Sequence, residues 1–137
     1  MCNTFHTSKE YQPEKIPSTG FAWKIFKPSG LGLFGSAYRQ KGRVPANLNF
    51  WVTWRKEYYP ESESSKNNGF CGFATKEDAV SLLRQLYKDW RDTYDKCVIK
   101  EIQYDEGIGS ILSTEIDRIP RRFILYKRFR LAKEKKK

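Results

Sequence analysis

Between Thr75 and Trp90 the apolar residues Ala79, Leu82, Leu83, Leu86, Tyr87 and Trp90 recur at helical spacing. On a helix of 3.6 residues per turn they form one continuous stripe, while Ser81, Arg84, Gln85, Lys88 and Arg91 fall on the opposite side. Thr75 is placed to cap this helix. Asp78, three residues on, completes a capping-box pattern in which Asp replaces the usual Glu or Gln. The spacing predicts one amphipathic helix over 76–92, and its stripe needs a second layer to cover it.

The rest of the periodic sequence supplies that layer with a period of two. Phe21, Trp23 and Ile25 alternate with Ala22 and Lys24, predicting a half-buried strand from Gly20 to Pro28. Leu48, Phe50, Val52 and Trp54 alternate with Asn49, Trp51, Thr53 and Arg55, which predicts a strand whose outer face carries Trp51 among polar neighbours. Further strands are expected around 70–73, over 97–104, over 111–116 and over 123–131. A glycine-rich loop is expected after Pro28, a polar surface loop over 58–69, and a turn over 105–109, where Gly107 and Gly109 lie close together. Five or six mostly antiparallel strands with one main helix make an α+β domain over 19–132. An extended arm, 1–18, precedes it and a basic tail, 133–137, follows.

A chain of 137 residues with 9 Phe, 8 Tyr and 4 Trp has enough large side chains to build a core without a metal or disulfide staple. Cys2, Cys71 and Cys97 have no pairing motif, and His6 is the only histidine, so no zinc ligand set and no cofactor is implied. Nothing at the N-terminus reads as a signal peptide, and no stretch approaches the ~20 apolar residues that span a bilayer. Free thiols in a reducing intracellular compartment are expected.

Charge is the strongest functional signal. Residues 15–56 carry eight basic side chains and no acid, and residues 118–137 carry ten basic groups against Glu134 alone. The stretch between them holds thirteen acids and seven bases. If the two basic stretches meet in the fold, one face attracts a polyanion. Cations and rings also interleave. Arg39, Lys41, Arg43, Trp51 and Arg55 lie in the first basic stretch, and Arg121, Arg122, Arg128 and Arg130 on the last strand. Such mixtures hold single-stranded nucleic acid, because bases stack on rings while cations follow the backbone. They also arise where cations merely protect strand edges.

The strand–helix junction Gly69-Phe-Cys-Gly-Phe-Ala-Thr-Lys-Glu-Asp-Ala79 is the most patterned segment. A helix start offers N–H groups to anions, but Glu77 and Asp78 would repel a phosphate, so the junction reads as structural. With the Met1-Cys2 start, the aromatic strand Phe21–Phe26 and the strand Val98–Lys100, it resembles a group of small phage-encoded proteins of unknown function. The match is imperfect, because that junction usually has His where Cys71 or Gly72 stands. The resemblance implies a phage or mobile-element origin and action on host machinery in the host cytoplasm.

Three enzymatic signals are weaker. Cys2 would become an N-terminal nucleophile if Met1 were removed, but no base and orienting group accompany it. His6 and Glu115 are similar to part of the ADP-ribosyltransferase His–aromatic–Glu layout. Gly107-Ile-Gly109 is only a fragment of a dinucleotide fingerprint and does not precede a helix. The expectation is therefore a noncatalytic binding protein that engages nucleic acid or a host nucleic-acid-handling or defence complex. Capture of an acidic host protein is the alternative binding reading, and a small enzyme the other. A sheet face left open by a single helix would also permit a dimer.

Overall fold

The computed structural model describes residues 4–5, 14–28, 34–36, 47–53, 69–89, 96–114 and 118–133. They form an α+β fold in the order β1 (Thr4–Phe5), β2 (Gly20–Pro28), β3 (Phe34–Ser36), β4 (Val52–Thr53), β5 (Gly69–Phe73), α1 (Lys76–Asp89), β6 (Val98–Ser113) and β7 (Arg121–Leu131). All pairings are antiparallel. The sheet runs β1-β5-β2-β6-β7-β4, with β3 joined to β2, and β5 also pairs β7. That last pairing curls β2, β6, β7 and β5 into a small barrel. Its seam, between β2 and β5, consists of the single register pair Trp23↔Phe73.

The barrel separates two apolar clusters. Ala22, Phe26, Phe70, Ile102, Tyr104, Ile124, Tyr126 and Phe129 pack inside with Leu48. Ile25, Cys71, Phe73, Ile111, Phe123 and Leu125 face outward beneath Ala79, Leu82 and Leu86 of α1. Both faces of β5 and of the first half of β7 are therefore buried. The β2 strand is buried on both faces in its middle, over Lys24, Ile25 and Phe26, where the sequence suggests a half-buried strand. Ala22 and Phe26 fill the barrel, and Lys24 between them is 4% exposed, its Nζ donating to the Cys71 carbonyl at 2.9 Å. Phe21, on the face expected to be apolar and covered, is 59% exposed.

The helix begins as its sequence requires. Thr75 Oγ1 accepts from the Asp78 N–H at 3.3 Å, while the Asp78 carboxylate turns away from its own helix to accept from the Arg122 N–H at 3.1 Å. The expected residues 90–92 lie outside the described residues. No helix among the described residues is long and apolar enough to cross a membrane.

Two expectations need correction. The turn over 105–109 is not a turn: β6 runs unbroken through it for 16 residues, with a register shift between Gly107 and Gly109. Glu106 takes a φ of 52°, and the Gly107 N–H donates to the Ser18 carbonyl at 3.0 Å. A Cβ on Gly107 would lie 2.7 Å from the Pro17 carbonyl oxygen, so glycine serves a close approach here and not a reversal. The same contact holds down the end of the expected arm, which also bridges Glu14 to Ser110.

The strand expected over 48–54 begins only at Val52; its described part is Val52–Thr53, and residue 54 lies outside the described residues. Asn47 breaks the alternation, its Oδ1 accepting from the Asn49 N–H at 3.0 Å and its carbonyl from the Phe50 N–H at 3.3 Å. The resulting turn buries Leu48 and leaves Phe50 70% exposed.

Candidate nucleic-acid interface

The register of β4 on β7 pairs Val52 with Phe129 and Thr53 with Arg128, and one further step places Trp51 opposite Arg130. Phe129 points into the barrel, so Arg128 and Arg130 on either side of it point out. The Arg128 guanidinium lies 4.7 Å from the centroid of the Trp51 ring and that of Arg130 lies 4.6 Å from it. Each is also held from β6. Asp105, the register partner of Arg128, accepts from its Nη1 at 3.2 Å. Gln103, the partner of Arg130, accepts from both Nε and Nη2 at 3.3 and 3.2 Å. The two arginines are thus fixed in direction by cross-strand partners and by an indole, while remaining partly exposed.

A slip in alternation produces this arrangement. Tyr126 and Phe129 are three residues apart, yet both face the barrel and their rings meet at 5.8 Å. Strict alternation would place Arg128 on the same side as Tyr126, inside the barrel. On β6, opposite this stretch, Glu106 takes a φ of 52° while the register stays in step from Asp105↔Arg128 to Gly107↔Tyr126, so the two strands change phase together before the shift between Gly107 and Gly109. Arg128 and Arg130 reach solvent because of it.

Beside Arg130 the surface sinks into a groove of about 700 Å³, bounded by Trp23, Asn49, Lys100, Glu101 and Lys133. Trp23 and Glu101 are register partners on β2 and β6. Lys100 and Lys133 add to Arg128 and Arg130 around Trp51 and this groove, so cations outnumber the acids Asp105 and Glu101 there.

The other half of the arginine set on β7 stands elsewhere. Arg121 is 1% exposed, and its Nη2 donates to Ser81 of α1 at 3.0 Å. It joins helix to sheet and corrects the expectation of a phosphate-clamping surface residue. Arg122 Nη1 donates to Glu14 at 3.1 Å and to Ser110 at 3.0 Å, tying down the N-terminal segment. Six residues of strand, roughly 20 Å, separate Arg122 from Arg128. Sequence spacing had grouped four arginines that the fold uses in two ways.

Arg39, Lys41, Arg43 and Arg55 lie outside the described residues, as do Cys2, His6 and Glu115. Gln103, Asp105, Lys100, Glu101 and Lys133 were not singled out by sequence reasoning. Only the register of β6 against β7 and β2 brings them to the site. Comparison with protein families, curated proteins and solved structures finds no match to the chain.

Proposed function

We propose that the chain is a noncatalytic binding protein that engages single-stranded nucleic acid through the Trp51–Arg128–Arg130 face. One observation carries this reading: two guanidiniums converge on one indole, held in place on the outer face of a barrel. Planar guanidiniums offer phosphates a fork of donors and offer bases a flat surface, and ordering them in advance lowers the entropic cost of binding. Because the Trp51 ring is covered by its own arginines, its role is to orient them, and the stacking planes are the guanidiniums themselves. The groove beyond Arg130 extends the track toward Lys100 and Lys133. The resemblance of the sequence to small phage-encoded proteins supports a target among host nucleic acids or the complexes that handle them.

The test is binding of purified protein to single- and double-stranded DNA and RNA across a salt series. A steep loss of affinity with salt, with a preference for single strands, supports the reading, since each neutralised phosphate releases counterions. Absence of binding at low salt sinks it.

A second reading has its own observation. Val80, Leu83 and Tyr87 of α1 line a groove with Ile99, and Arg84, Lys88 and Lys96 rim it. An apolar floor with a basic rim suits an acidic partner protein. Under this reading, Glu replacements of Arg84 and Lys88 abolish a stoichiometric protein complex while those of Arg128 and Arg130 leave it intact.

A further inference from the structure

We infer that the groove beside Arg130 is a specificity pocket for one guanine base of the bound strand; the inference rests on the single-strand reading above. Its floor is aromatic and aliphatic, from Trp23 and Ile99, and its rim holds Lys100, Arg130 and Lys133. A volume of about 700 Å³ lies within the range of pockets that hold small organic ligands. Within this basic rim stands one carboxylate, that of Glu101.

Glu101 is the telling residue. It is half-buried and makes no ion pair among the described residues, although Lys100, Arg130 and Lys133 share its groove. Arg130 turns its Nε and Nη2 to Gln103 and not to Glu101. An acid inside a polyanion-binding surface works against phosphate and therefore needs a different use. At neutral pH a carboxylate only accepts hydrogen bonds, so it selects a partner edge made of donors. Guanine alone among the common bases presents two adjacent donors on its Watson–Crick edge, N1–H and the N2 amine, matching the two carboxylate oxygens. Adenine and cytosine each place a ring acceptor beside their amine, and uracil and thymine flank one donor with two acceptors.

The position of Glu101 fits that task. Its register partner is Trp23, so the carboxylate stands at the border of the indole and not across the cavity from it. A base lying on Trp23 turns its edge to Glu101, while its phosphate reaches Lys100 or Lys133 at the rim. The Lys76 Nζ lies over the same ring, 5.5 Å from its centroid; unlike the two arginines over Trp51, it is a single exposed side chain, which the base displaces toward its own phosphate. Asn49, at the groove's other wall, carries both a donor and an acceptor for the remaining base atoms.

The test compares twelve-residue oligothymidylates that carry one central dG, one dI, one dA or no substitution, titrated into the wild-type protein and into Glu101→Gln. The wild type should bind the dG strand about tenfold more tightly than the unsubstituted strand. Inosine lacks the N2 amine and should lose most of that advantage. Glu101→Gln should bind all four strands alike, with the salt dependence of the wild type retained. Equal binding of dG, dI and dA strands by the wild type overturns the pocket while leaving the single-strand reading in place. So does a dG preference that survives in Glu101→Gln. The dI comparison needs no variant, so it stands even if the substitution harms folding. If no strand binds at low salt, 5′-GMP and 5′-AMP titrations followed by tryptophan fluorescence separate the cases. Selective quenching by GMP keeps the pocket without the strand, and equal or absent quenching overturns both.

Discussion

Asp78, in the first turn of α1, accepts a hydrogen bond through Oδ2 from the backbone N–H of Arg122, near the start of β7, at 3.1 Å. A strand N–H that no neighbouring strand satisfies is thereby satisfied by the helix, and the helix start is fixed over the barrel. Charged acceptors make the stronger hydrogen bonds. Asp78→Ala should therefore lower unfolding free energy by about 1–2 kcal/mol, and Asp78→Asn, which keeps the acceptor, by less. Thr75→Ala, which removes the cap, should cost ~1 kcal/mol. Urea midpoints with an unchanged slope would establish these values; an unaffected midpoint in Asp78→Ala would show that the contact is dispensable.

Tyr126 fills the centre of the barrel, fully buried, and its hydroxyl finds no hydrogen-bond partner among the described residues. Burial pushes its ionisation well above the ordinary phenol value of 10.0, and the nearby Cys71 thiol adds to the rise. Tyr126→Phe should be neutral or stabilising by up to about 1 kcal/mol, since it deletes a desolvated group that nothing repays.

The same residue sets an alkaline limit. The folded chain keeps the phenol proton at pH values where the unfolded chain releases it. Its contribution to stability is complete below pH 10.0 and is lost as pH rises from there through the folded value. Tyr104, also raised by burial, adds in the same direction. Denaturation curves between pH 9 and 11 should show wild type losing stability more steeply than Tyr126→Phe, and parallel losses would refute the assignment.

Arg128 and Arg130 should together account for about two units of the slope of log affinity against log salt, read by comparing wild type with the double Gln variant. Trp51→Ala should weaken binding severalfold without reducing that slope, because the charges remain and only their orientation is lost. A Trp51→Ala slope as shallow as the double variant's would show that the indole contributes something other than orientation.

Arg121→Gln should behave in the opposite way. Removing a buried guanidinium that joins β7 to α1 should destabilise the fold by roughly 2–4 kcal/mol. Binding measured below the unfolding transition should keep wild-type affinity and salt slope. A reduced slope would return Arg121 to the contact surface.

Much of the architecture was legible in the period of the apolar residues. The stripe from Ala79 to Leu86 and the Thr75 cap could form only one kind of element, and the alternation from Gly20 to Pro28 gave a strand with the observed ends. What escaped notice depends on contacts distant in sequence. Gly107 and Gly109 have the composition of a turn, and only the approach of Pro17 and Ser18 makes the region a bulge. Lys24 reads as an exposed strand cation because local pattern does not reveal that β5 will cover it with the Cys71 carbonyl. The arginine cluster was visible as composition. Its division, with Arg121 and Arg122 serving the scaffold and Arg128 and Arg130 the surface, follows from the phase slip between Tyr126 and Phe129. A list of charges does not contain that slip.

The ring closed by Trp23 and Phe73 has a consequence for how the protein behaves in a crowded solution. An open sheet ends in two rows of unsatisfied amides and carbonyls, on which a second copy can add a strand. Here the β5 and β2 edges are partly spent on each other, and the flanking strands β1, β3 and β4 span two, three and two residues. Among the described residues, these edges offer few backbone groups in a row on which another chain could pair. With a net charge of +10 opposing approach as well, the molecule should remain dispersed at concentrations where an open sheet of the same strands would begin to fibrillise.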